Sequence, residues 1–76
     1  MVYVYCLKNK IDNGLYYGYT KDLIRRCKEH GKYWTLVYYE AYLSDGDAHE
    51  REKRLKDYGQ ARTHLKRRIS GSLDHI

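Results

Sequence analysis

The residue in this 76-residue chain that packing explains least is Glu52. A helix over residues 45–58 advances about 100° per residue, which puts Ala48, Leu55 and the following Gly59 on one inward line with Glu52 in its middle. Glu50 points to solvent. An ionised carboxylate facing a core is costly unless a cation or several donors compensate it. Two arrangements meet that condition: an internal ion pair, with Arg26 or through a contact to Lys56, or ligation of a metal ion. Arg26 and His30 stand one turn apart on an earlier helix over 21–30. There Leu23, Ile24 and Cys27 mark the core face, while Arg25, Lys28 and Glu29 point away. Arg26 and His30 fall on the rim of the apolar stripe, where they lean over a shallow cleft together.

These residues need elements to hold them. Residues 2–7 are rich in β-branched and aromatic side chains and read as a strand. Asp12-Asn13-Gly14 is a turn signal, and residues 15–19 form a second strand paired to the first as an antiparallel hairpin. Thr20 caps the first helix, Asp22 sits in its first turn, and Gly31 ends it. Residues 34–42 form a third strand. Ser44 to Asp47 cap the second helix. Gly59 interrupts, and residues 60–69 make a third helix with Ala61, Leu65 and Ile69 at i, i+4 and i+8. The order predicts an α+β domain: a small three-stranded antiparallel sheet flanked by three helices.

Composition narrows the classes. The chain makes one small domain whose aromatic content is ten Tyr and one Trp, with no Phe, so buried rings carry hydroxyls that need partners. Cys6 and Cys27 read as reduced packing residues of a cytoplasmic protein. Cys27 with His30 has half-zinc-site spacing but no second pair to complete it. The apolar runs are far below membrane-spanning length. Net charge is +5, and residues 51–68 hold eight Lys/Arg against Glu52 and Asp57, so the whole excess sits in one block. Such a block suits a polyanion, although a solvated helical face has the same composition.

Tyr3-Val4-Tyr5 followed by Gly14-Leu15-Tyr16-Tyr17-Gly18-Tyr19-Thr20 resembles the two signature strands of the GIY-YIG nuclease superfamily. Asp22-Leu23, Arg26 and His30 resemble its first helix, and Trp34 with Tyr39-Glu40-Ala41 its third strand in small stand-alone members. Ala48-x-x-Arg51-Glu52-Lys53-x-Leu55-Lys56 is similar to the helix carrying the metal glutamate. Tyr3 stands for the usual first glycine and Tyr17 for the usual isoleucine. The connection from His30 to Trp34 is shorter than in many relatives, which bears on substrate grip. By this resemblance, residues 1–59 are the nuclease core and 60–76 a basic helix and tail packed on it.

The resemblance implies catalytic roles for Tyr5, Tyr16, Arg26, His30 and Glu52, with Glu52 as the metal ligand. It implies a metal-dependent endonuclease with one Mg²⁺ or Mn²⁺. A single inward carboxylate suits an ion that keeps most of its waters. Either tyrosine is a candidate for activating water. The expected nucleic-acid contacts are Tyr19, Lys21, Lys53, Lys56, Arg62, Lys66, Arg67 and Arg68. DNA is the expected partner, whether single-stranded, duplex or branched, for instance in repair. Strong sequence specificity would need a homodimer or a DNA-targeting partner. The competing classes are a non-catalytic nucleic-acid-binding module of the same fold and a protein-interaction domain docking through its Tyr-rich strands.

Overall fold

The computed structural model describes residues 1–75. Among them the element order is β1 (Val2–Asn9), β2 (Leu15–Thr20), α1 (Leu23–His30), β3 (Trp34–Tyr42), α2 (Asp45–Asp57), α3 (Gly59–Arg68) and α4 (Ser70–Asp74). The strands form an antiparallel sheet in the order β2-β1-β3. The α+β class is as expected, with a short fourth helix added after α3. The tail expected over 60–76 is described as far as His75, and Ile76 lies outside the described residues.

Central strand β1 is covered on both faces, and its alternation separates two packing environments. Val2, Val4 and Cys6 join Tyr17, Ala48, Leu55, Leu65 and Ile69 in the main core, under α2 and α3. Tyr5 and Leu7, equally buried, point to the opposite face, where α1 lies. Register then assigns the neighbours, because residues directly opposed in an antiparallel pair share a face. Tyr16, Gly18 and Thr20 oppose Leu7, Tyr5 and Tyr3, while Tyr39 opposes Tyr5 from the other side. Tyr17 and Tyr19 oppose Cys6 and Val4 on the core face. A register shift between Cys6 and Leu7 pairs them with Tyr38 and Leu36, which leaves Val37 as the extra residue of a bulge.

The turn chemistry matches the hairpin. Asn9 Oδ1 accepts from the amides of Ile11 and Asp12, Asp12 Oδ1 accepts from Gly14, and Asn13 takes a positive φ of 62°. β1 runs two residues past the expected end because Asn9 itself organises the turn. The first helix begins later than expected: its cap is Asp22, whose carboxylate accepts from the Arg25 amide. Buried Thr20 instead accepts from the Asp22 amide and donates to the Asp22 carbonyl, closing the bend before the helix. Gly31, at φ 89°, ends α1. Ser44 caps α2 through the Asp47 amide.

One core assignment is overturned. Ile24 is 72% exposed, and the inward side of α1 is formed by Leu23, Arg26, Cys27 and His30. An eight-residue helix over a sheet face can present only one narrow stripe, and the i, i+3, i+4, i+7 set that includes Arg26 and His30 takes it. The two rim residues therefore point at the sheet.

Candidate active site

Tyr5 anchors the cluster. It is 1% exposed, and its hydroxyl lies 3.2 Å from Nε2 of His30. Gly18 creates the space for its ring: a β-carbon there would stand 2.5 Å from Cζ and 2.9 Å from Cε1 of Tyr5, closer than real side chains approach. The glycine is therefore required by a side chain crossing the neighbouring strand. Burial, and secondarily the neighbouring Tyr16, push the Tyr5 phenol up to about 12, although the Arg26 guanidinium beside it pulls the other way. Tyr5 is thus a protonated phenol at neutral pH, its oxygen within hydrogen-bonding distance of His30 Nε2.

Around this pair the rings close in. Tyr16 lies 5.0 Å from the His30 ring and 6.2 Å from that of Tyr5, and Trp34 stands 6.2 Å from both Tyr16 and His30. Tyr16 is 38% exposed, so it forms the solvent side of the cluster while Tyr5 forms its floor. Arg26 also pairs with Glu29 at 3.3 Å, an exposed i, i+3 contact of little energetic weight.

α2 lies on the other face of the sheet, yet its side chains reach the β2 edge. Lys56 Nζ sits 5.7 Å from the Tyr16 ring centroid and 3.4 Å from Glu52 Oε2. Of the two ion pairs open to Glu52 from its spacing, the structure forms the one with Lys56. The link is not sealed, since the Glu52 side chain is 22% exposed and that of Lys56 is 47%. The neighbouring Tyr19 hydroxyl donates to Asp45, and its ring stacks on His49 at 4.0 Å. The bond to Asp45 raises the Tyr19 pKa, with smaller contributions from desolvation and the Asp45 and Glu52 charges.

Among the described residues, no three His, Cys, Asp or Glu side chains gather as a ready-made metal cage. Cys6 and Cys27 are free thiols. The donor set at the β2 edge is one partly open carboxylate paired to the half-exposed ammonium of Lys56. That chemistry fits a hard divalent ion completing its shell with water and phosphate oxygens, and it does not fit a structural zinc.

The sheet thus brings Tyr5, Tyr16, Arg26 and His30 together, with Lys56 approaching Tyr16 around the β2 edge and Glu52 linked to it through Lys56. The other expected contacts scatter. Lys21 lines a hollow with Arg25 and Arg26 beside the cluster, and Lys53 is exposed on α2. Arg62 donates through Nη1 to the Leu55 and Lys56 carbonyls at 2.8 and 2.7 Å, closing the carboxyl end of α2. Lys66 and Arg67 are exposed on α3. Arg68 lines a cleft with Tyr38, Glu40 and Arg51 over β3, the strand at the far edge from β2.

Three positioning residues escape the sequence reading. Trp34 walls the cluster. Gly18 holds the Tyr5 ring. Glu40 accepts from Tyr38, Tyr42 and, through both oxygens, Arg51 at 3.0–3.1 Å. Burial raises the Glu40 pKa, but the hydrogen bonds and the Arg51 charge outweigh it and hold the carboxyl below its ordinary range. A carboxylate alternating with Tyr38 and Tyr42 at period two was the available signal.

Comparison with protein families matches residues 1–33 to the GIY-YIG catalytic domain. No curated protein and no solved structure matches the chain. The match spans the hairpin, Arg26 and His30 and stops before β3 and α2. It supports membership of the GIY-YIG nuclease superfamily and, at that level, a nuclease-type activity on nucleic acid. Nucleases of this superfamily generally use a divalent metal ion. No helix among the described residues is long and apolar enough to cross a membrane.

Proposed function

From membership of the GIY-YIG nuclease superfamily as premise, we propose that this protein is a metal-dependent DNA endonuclease whose centre is Tyr5, Tyr16, Arg26, His30 and Glu52. Residues 1–59 form the catalytic core in this reading, with the C-terminal helices supporting it. The observation that carries it is the polar line from a buried phenol to an open carboxylate: Tyr5 to His30 at 3.2 Å, His30 to Tyr16, Tyr16 to Lys56, and Lys56 to Glu52 at 3.4 Å. It joins an imidazole, a lysine ammonium and a metal-compatible carboxylate, groups that apolar packing alone does not call for.

Each side chain then has a task. Arg26 binds non-bridging oxygens of the scissile phosphate and offsets the charge that builds on them. Tyr16, the exposed phenol, contacts the attacking water. His30 receives the water's proton at Nδ1, in the tautomer whose Nε2–H donates to the Tyr5 oxygen, and Tyr5, kept a neutral phenol by its high pKa, holds the ring in orientation. Glu52 would hold Mg²⁺ or Mn²⁺, and Lys56 beside it is placed to pair with a phosphate oxygen. A divalent ion held there would supply positive charge to offset the negative charge on the departing 3′ oxygen.

The test is a nicking assay over single-stranded, duplex and branched oligonucleotides with each metal. Glu52→Gln is expected to bind DNA and to lose cleavage by at least about 100-fold, a loss of the size seen when a group stabilising transition-state charge is removed. Undiminished cutting by Glu52→Gln in chelator would refute the assignment. The non-catalytic alternative predicts salt-sensitive binding with no metal-dependent turnover in the parent chain.

A further inference from the structure

The α1 face of the sheet carries apolar surface that the core does not use. Tyr39 opposes Tyr5 in register and remains 52% exposed, with the Tyr3 ring set edge-on against it at 6.0 Å and 70°. Ile24, the exposed apolar residue of α1, completes a hollow of about 330 Å³ with Leu23, Lys21 and Asp22. A second hollow of about 290 Å³ shares Lys21 and Asp22 and runs on to Arg25 and Arg26. Arg26 in turn borders the Tyr5 hydroxyl. Leaving the reactive cluster, a chain therefore meets cations first and an aromatic seat next. The carboxylate in this path, Asp22, is engaged by the Arg25 amide.

We propose that this seat takes one unpaired nucleobase of the strand being cut, so that the substrate is single-stranded beside the scissile phosphate. This rests on the nuclease reading above and names the substrate class of that site. Cation followed by ring matches the alternation of phosphate and base along one strand. Bases inside a duplex are already stacked on one another and present only backbone and groove edges, so they have no face to offer Tyr39. An unstacked base has one. The edge-on Tyr3 holds the Tyr39 ring in place, so little freedom is lost when a base lands on it.

Binding and cleavage are read separately in the test. The Glu52→Gln chain is titrated, without divalent metal, with single strands carrying 2-aminopurine at successive positions and with the matched duplexes. Quenching is expected in the single strand at one position and absent in the duplex. Tyr39→Leu, which keeps apolar bulk without a π face, is expected to abolish the quenching and weaken single-strand binding by roughly 5- to 100-fold. Tyr39→Phe is expected to retain both. Tyr39→Leu binding and quenching like its parent, or a preference for duplex, overturns the seat even if the parent chain cuts DNA. Loss of stacking in Tyr39→Leu with no cleavage by the parent under any metal leaves the seat standing and removes the nuclease reading.

Discussion

Gly18→Ala adds one methyl group at a place where the structure has no room for it. The new carbon would sit 2.5 Å from Tyr5 Cζ, whereas ordinary contacts begin at 3.4 Å, so the ring must withdraw by about 1 Å. Gly18 lies in regular strand backbone paired to Tyr5, so the penalty is spatial and owes nothing to φ. Tyr5 is fully enclosed, and its movement is taken from the 3.2 Å contact with His30, which leaves hydrogen-bonding range. Overpacking of this kind costs about 1–3 kcal/mol. For a chain of this size, each kilocalorie lowers Tm by roughly 4–8 °C.

The effect on turnover is larger than the effect on stability, because a displacement near 1 Å in a catalytic constellation costs on the order of 100-fold in rate. Single-turnover nicking in saturating Mg²⁺ measures it, alongside a thermal melt of the same preparation. The informative comparison is Gly18→Ala placed in a Tyr5→Phe background. Phe keeps Cζ, so the stability penalty persists. The hydroxyl is already gone, so little further activity is lost, and the two activity effects are strongly non-additive. Full activity in folded Gly18→Ala, or rate losses that simply add in the double variant, would show that the Tyr5–His30 contact does not serve catalysis.

Glu40→Gln leaves Arg51 without its charged partner in a partly buried site and is expected to cost about 1–3 kcal/mol at neutral pH, read by denaturant melts. Because the folded-state pKa of Glu40 is depressed, its stabilisation is complete above the unfolded value of about 4.3 and is lost as pH falls through the folded value. The parent chain should therefore weaken below about pH 4.3 more steeply than Glu40→Gln. Tyr17→Phe removes the one buried side-chain polar atom without a hydrogen-bond partner among the described residues, and is expected to raise stability by about 1 kcal/mol in the same melts. Arg62→Ala opens the carboxyl end of α2 and is expected to cost about 1–2 kcal/mol. The slope of log affinity against log salt should stay unchanged in that variant, because the guanidinium is engaged by carbonyls.

Much of the site was legible because it violates packing rules. Glu52 interrupts an apolar helical line, and the structure keeps it half-buried at the sheet edge between buried Ala48 and Leu55. Strand and helix order followed from β-branched runs, turn residues and caps. The misreadings have a common cause: periodicity reports which residues are apolar, and not which of them find a partner. Ile24 is apolar, but α1 is too short to bury two stripes, so Arg26 and His30 take the sheet side. Arg62 sits in a basic block whose composition invites a phosphate, and charge counting does not reveal that it also closes the carbonyls at the end of α2. Gly18 looked like one more signature glycine until the Tyr5 ring was seen lying across it.

The neighbouring residues Arg51 and Glu52 explain how so small a helix aims a carboxylate. They are consecutive, so they leave α2 about 100° apart. Arg51 is clamped by both oxygens of Glu40 on β3, at one edge of the sheet, while Glu52 emerges near Tyr19 of β2 at the other. Locking one side chain fixes the rotation of the helix and so fixes where the other can point. Arg62 holds the far end of the same helix, and Ser44 with Asp47 holds its start. Ala48 and Leu55 supply adhesion without direction, because apolar contacts tolerate small rotations. Direction comes from the charged pair, since a planar guanidinium meets a carboxylate bidentately in few geometries. The ion pair over β3 therefore helps set where Glu52 points at the β2 edge, although the two lie on opposite sides of the central strand.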